Sequence, residues 1–152
     1  MEKALAGKTI LVVDDDPTSL HFNMIHLTLH GATVVTASSV AEALGQFWIH
    51  APDVLVSDIC MPREDGLSMM RKIRCSPLEG AEVPAIAISG LVSFPDHVRS
   101  LDAGFDYHLA KPYLPEELVT IIIRVMKLRE QPPAFTAAAE DARSSGRTAT
   151  QP

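Results

Sequence analysis

Cysteine is scarce in this sequence: Cys60 and Cys75 are the only two among 152 residues. Two thiols make no disulfide framework, so a small cross-linked secreted scaffold is excluded, and reduced, inert thiols are expected. Long hydrophobic runs are missing as well. The first, residues 10–13, is cut off at once by Asp14, Asp15 and Asp16, so no signal peptide is visible. The longest later one, residues 118–126, is interrupted by Thr120 and Arg124 and is too short to span a bilayer. The expected protein is soluble, cytoplasmic and without a membrane partner. A basic excess is also lacking: net charge is −6 and the sequence pI is about 5.4. Direct nucleic-acid binding needs a concentrated cationic face, so that partner is not expected.

What the sequence does contain is enough apolar material for a core, 47% hydrophobic against 21% charged residues. The length suits one domain with an unstructured end better than two domains. No tandem repeat is visible. Short aliphatic, β-branched runs recur at residues 9–13, 33–37, 54–57, 85–89 and, more weakly, 107–110. Near-continuous apolar runs of this kind suit strands buried on both faces of a parallel sheet.

Between these runs lie segments of helical period. Residues 17–30 place Leu20, Met24 and Leu27 on one face, and 39–50 carry Val40, Ala43, Leu44 and Phe47 behind a Ser38 or Ser39 cap. Residues 66–74 carry Leu67, Met70 and Ile73, while 94–103 present Val98 and Leu101 ahead of a helix-stopping Gly104. Residues 115–129 begin with proline and two glutamates, then show Leu118, Ile121, Ile122 and Val125. The predicted fold is α/β, (βα)5, a doubly wound five-stranded parallel sheet with five helices. Three segments are predicted: an N-terminal extension 1–7, a folded domain 8–130, and a disordered Pro/Ala/Ser/Thr-rich tail 131–152.

In doubly wound sheets, ligands bind outside the C-terminal strand ends. Strand one ends in Asp14, Asp15 and Asp16, strand three in Asp58, strand four in Ser89, and strand five leads into Lys111-Pro112. Carboxylates gathered this way repel one another unless a cation neutralises them, and oxygen-only donors suit a hard ion, Mg²⁺. An aspartate flanked by metal, lysine and hydroxyl is placed to attack phosphorus. Singly, each of these residues has an ordinary explanation as a cap, turn or solvated side chain. Jointly those explanations fail, because chance seldom sets these residue types at four strand ends.

The set Asp14-Asp15, Asp58, Ser89 and Lys111-Pro112 resembles the receiver domain of bacterial response regulators, the chemotaxis type included. The resemblance covers roughly residues 8–128 and rests on ordered motifs: 10–17 (ILVVDDDP), 56–62 (VSDICMP) with Gly66 following, 84–90 ending in Ser89-Gly90, 103–106 (AGFD) and Lys111-Pro112. It implies a flavodoxin-like receiver fold in which Asp58 is the phosphoacceptor. Asp15 would be a direct Mg²⁺ ligand, Asp14 an acid reached through water, and the Cys60 backbone carbonyl a further ligand. Ser89 would contact the phosphoryl group and Lys111 would pair with it. Two mild departures stand out: Ser89 replaces the commoner threonine, and His108 occupies a site where the family often has tyrosine or phenylalanine. Ser89 and His108 are thus the candidate switch pair, with a solvent-facing His108 as the plainer alternative.

The implied function is phosphoryl acceptance from a histidine kinase or histidine phosphotransfer protein, followed by phosphorylation-dependent contact with an unknown downstream protein. Such a domain is a signalling module and catalyses only its own phosphorylation and dephosphorylation. Three alternatives stay open. Residues 3–13 resemble the approach to the first strand in receivers of hybrid kinases, which suits a relay intermediate or phosphate sink; the Met1 start and the lack of an output domain favour a free-standing receiver. A receiver-like module that is never phosphorylated is countered by the complete acidic set. Asp14-x-Asp16-x-Thr18 also fits the first motif of haloacid-dehalogenase-type phosphatases, with Ser89 and Lys111 as later motifs. That family needs a late acidic pair at a strand end, where this chain offers only Glu116-Glu117 opening a helix. Elsewhere, His21, His26 and His30 read as a surface face, and Met69-Met70 and Phe47-Trp48 as packing.

Overall fold

The computed structural model describes residues 3–90 and 93–130; the tail predicted to be disordered, 131–152, lies outside the described residues. The elements alternate: β1 (Thr9–Val13), α1 (Pro17–Leu29), β2 (Thr33–Ala37), α2 (Val40–His50), β3 (Val54–Asp58), α3 (Gly66–Arg74), β4 (Ala85–Ser89), α4 (Phe94–Ala103), β5 (Tyr107–Ala110) and α5 (Pro115–Glu130). All strands are parallel in one sheet of order β2-β1-β3-β4-β5. The reversal of order falls between β1 and β3, which is where such sheets open a crevice at their C-terminal edge.

The three inner strands are buried almost throughout, as their unbroken aliphatic runs require. The edge strands β2 and β5 are more open than the burial on both faces expected of such runs, because an edge strand has a neighbour on one side only. Two apolar layers fill the faces. One joins Phe47 of α2 and Met69, Met70 and Ile73 of α3 to Leu11, Leu55 and Ala87. The other joins Leu27 of α1 and Leu118 and Ile122 of α5 to Ile10, Val56 and Ile86. Full burial of one such side chain stabilises the fold by roughly 1.5–3 kcal/mol. Leu5, ahead of β1, is completely buried in the second layer, and its N–H donates to the His30 carbonyl at 2.9 Å. Residues before the first strand therefore contribute to the core, a role their short, unpatterned stretch does not announce.

Helix starts follow local chemistry. Asp16, Ser39, Asp65 and Ser93 are N-caps whose side chains accept first-turn N–H groups. Gly104 ends α4 at φ 116°, a conformation side chains resist.

Two helices pack differently from their periodicity. In α4, Ser100 and Ala103 are buried, whereas Val98 and Leu101 stay partly exposed and Phe94 is 81% exposed. The small residues let α4 approach the sheet closely, and the large ones are left outside. In α1, Leu27 and the polar Asn23 face inward, while Phe22, Ile25 and Leu29 form an exposed stripe. Met69, Met70 and Phe47 are core and Trp48 lies at the rim, as expected. No described helix is long and apolar enough to cross a membrane.

Candidate functional site

The strand ends place the acids. β1 stops at Val13, and the Asp14 N–H still donates to Ala37 O of β2 at 3.1 Å, so Asp14 is held in the sheet's extension. Its carboxylate turns back to accept the Asp16 N–H at 2.9 Å. Asp58 is the last residue of β3, in register with Ile88 of β4. The two carboxylates are 4% and 8% exposed, while Asp15 faces solvent. Carboxylate oxygens of Asp14, Asp15 and Asp58 lie within 4.8 Å of one another.

Asp16, the fourth acid in the expectation, is engaged elsewhere. It caps α1 by accepting from Thr18 N at 3.2 Å and from the Ser19 hydroxyl at 2.8 Å. Those bonds hold its carboxyl below the ordinary value, the Ser19 bond contributing most.

Lys111 reaches in from the end of β5. Its N–H donates to Ser89 O at 2.9 Å, and its Nζ lies 3.4 Å from Asp58 Oδ2. Burial penalises the ammonium, and the Asp58 and Asp14 carboxylates outweigh that penalty, so its pKa is raised. The acids are raised too. Burial is the main cause at Asp58, and Lys111 offsets only part of it. At Asp14 burial again leads; the Asp16 N–H opposes it and the Asp58 charge adds to it. Burial, more than mutual repulsion, makes the two carboxylates costly to ionise. Oxygen donors alone, two of them buried and poorly solvated, fit a hard divalent cation such as Mg²⁺.

Ser89 is 1% exposed at the end of β4. Cys60, just beyond β3, has an exposed thiol, and with Ser89 it lines a small cavity of about 150 Å³ bounded by Asp65, Asp96 and Arg99. His108 is not the solvent-facing residue of the plainer alternative: it is 6% exposed. It pairs in register with Ala87, and its Nδ1 meets the Ser100 hydroxyl of α4 at 3.3 Å. The His97 ring lies 4.9 Å away, centroid to centroid. The short β5 brings His108 under α4 because Ser100 leaves room for it.

Two residues escaped the sequence reading. The Tyr113 hydroxyl donates to the buried Asn23 Oδ1 at 3.0 Å, tying the segment after Lys111 to α1. The available signal was Asn23 itself, a polar residue in register with Leu20 and Leu27 on the inward face.

The model of the response regulator receiver domain matches residues 10–123. An uncharacterised 14.6 kDa protein of Leptolyngbya boryana is 37% identical over 79% of this chain and 91% of its own length. The response regulator MprA of Mycobacterium ulcerans is 36% identical over 85% of this chain but 56% of its own length. The chain thus spans little more than half of that regulator. Among solved structures, the receiver domain of a signal transduction histidine kinase from Syntrophus aciditrophicus aligns with TM-score 0.74 at 26% identity, covering 84% of this chain and 96% of that one.

Proposed function

This chain belongs to the response regulator receiver family, and we propose that it takes a phosphoryl group onto Asp58 from a phosphohistidine donor. The observation that carries the proposal is the convergence of three carboxylates with the Lys111 ammonium 3.4 Å from Asp58. An Asp58 oxygen attacks phosphorus as the P–N bond to the donor imidazole breaks. The bonding pair stays with that nitrogen, which then takes a proton from water. Lys111 pairs with an oxygen of the transferred group, and the Ser89 hydroxyl donates to another. Asp14, Asp15, Asp58 and the Cys60 backbone carbonyl would hold Mg²⁺, which supplies charge neutralisation at the phosphoryl oxygens.

The donor is a histidine kinase or histidine phosphotransfer protein in the cytoplasm. Output is phosphorylation-dependent binding of a downstream protein at α4, β5 and α5, where Phe94, Val98 and Leu101 are exposed. Drawing Ser89 toward the phosphoryl group would shift Gly90 and Ser93, the N-cap of α4, and let His108 follow. A bias of a few kcal/mol suffices to move such an equilibrium. A relay or phosphate-sink role uses the same chemistry, and the likeness to a histidine kinase's receiver favours keeping it as the second reading.

The test is incubation with acetyl phosphate and Mg²⁺. Intact mass should rise by one phosphoryl group, and Asp58→Asn should abolish the gain. Loss with Asp14→Asn but not with Asp58→Asn would instead establish the phosphatase-type use of Asp14.

A further inference from the structure

The Asn23–Tyr113 hydrogen bond joins parts of the chain 90 residues apart, and Tyr113 lines the same groove as Lys111. Asn23 is 3% exposed in the middle of α1, where an apolar side chain would satisfy the packing. A buried amide in that place is costly unless its partner is fixed, so the pair holds a defined geometry. On one side of Lys111, the sheet clamps the main chain through the bond from Lys111 N to Ser89 O. On the other, only Pro112 separates Lys111 from Tyr113. Lys111 therefore sits between two anchors, one in β4 and one in α1. Its side chain is about one-third exposed and borders the groove formed by Thr18, Ser19, Phe22 and Tyr113, so packing alone leaves it room to wander. The phenol also feels the charges of Lys111, Asp14 and Asp58, which places it electrostatically within the same site.

We propose that Tyr113 and Asn23 are positioning residues for phosphoryl transfer: their hydrogen bond fixes the segment after β5 so that the Lys111 ammonium stays on Asp58. The inference rests on the reading of Asp58 as phosphoacceptor and adds two residues to it. Neither would touch the phosphoryl group; both act through Lys111.

The test measures the initial rate of phosphorylation by acetyl phosphate with saturating Mg²⁺ in the full chain. Tyr113→Phe, which keeps the ring and removes the hydroxyl, should slow the rate by about three- to tenfold, as should Asn23→Ala, and the double variant should be no slower than either alone. Mg²⁺ affinity should change by less than about twofold, because the acids are untouched. In a Lys111→Ala background, Tyr113→Phe should cost nothing further. A purely structural role predicts the opposite: a lowered thermal midpoint with an unchanged rate, or a loss that persists undiminished without Lys111. Either result overturns the inference. Absence of phosphorylation in the parent chain would overturn the Asp58 reading itself, a distinguishable failure.

Discussion

Gly66 packs against the main chain of Asp58: a side-chain carbon built on it runs into the Asp58 carbonyl oxygen and comes within 3.2 Å of Ile59 Cα. Its N–H donates to Ile59 O at 2.8 Å, so the first residue of α3 is fastened to the end of β3. Gly66→Ala should push α3 away from the strand end, costing on the order of 2 kcal/mol and slowing phosphorylation of Asp58. Urea unfolding and the acetyl phosphate reaction would measure both. Unchanged stability would mean that the helix start yields freely.

Charge relief at Asp14 gives a signed pH dependence. The folded chain raises the Asp14 and Asp58 carboxyls above their ordinary 3.8. Between that value and the elevated one, the folded state binds more protons than the unfolded state, so stability falls as pH rises. The contribution is complete below the ordinary value and is lost as pH rises through the folded pKa. In metal-free buffer, Asp14→Asn should remove part of this slope and raise stability at neutral pH by on the order of 1 kcal/mol. Asparagine keeps an oxygen for the Asp16 N–H, so that bond survives. Difference curves of parent and variant against pH test the sign; a destabilised variant at pH 7 would contradict it.

The Arg74 guanidinium donates to Gly104 O at 3.0 and 2.8 Å, to Ala81 O at 2.9 Å, and reaches Asp106 at 3.3 Å. Asp106 also accepts the Ala85 N–H and the Arg129 guanidinium. This fork closes the sheet edge opposite the acids. Arg74→Ala should cost about 2–4 kcal/mol, and Arg74→Lys should recover little, since an ammonium cannot span the same carbonyls. The phosphorylation rate of the folded fraction should remain near that of the parent. A loss below about 0.5 kcal/mol would demote the fork to an ordinary surface contact.

His108 is packed under α4, its Nδ1 3.3 Å from the Ser100 hydroxyl, which donates to the His97 carbonyl at 2.8 Å. His108→Ala should cost about 1–3 kcal/mol from the vacated space. Phosphorylation of Asp58 should persist, while phosphorylation-dependent amide shifts along α4 in ¹H–¹⁵N spectra should shrink. Shifts equal to those of the parent would remove His108 from the switch.

The element pattern was legible because local chemistry and core demand agree along this chain. Strand runs such as 85–89 must be apolar on both faces, and the cap Ser39 marks a helix start that the structure contains. The placement of Asp14, Asp58, Ser89 and Lys111 at one edge of the sheet was equally legible, since each strand end is defined by where its apolar run stops. Periodicity failed where a helix packs through small or polar residues. Ser100 and Ala103 bury α4, and Asn23 helps bury α1, whereas apolar spacing pointed to Val98, Leu101 and Met24. A hydrophobic pattern records which residues avoid water in general; which ones do so here depends on the neighbours available. Only the tertiary arrangement decided that Leu5 enters the core and that His108 lies under α4. It likewise decided that Tyr113 reaches Asn23. Each of these is a relation between segments distant in sequence, set by the order and spacing of strands in the sheet, which no local window of residues encodes.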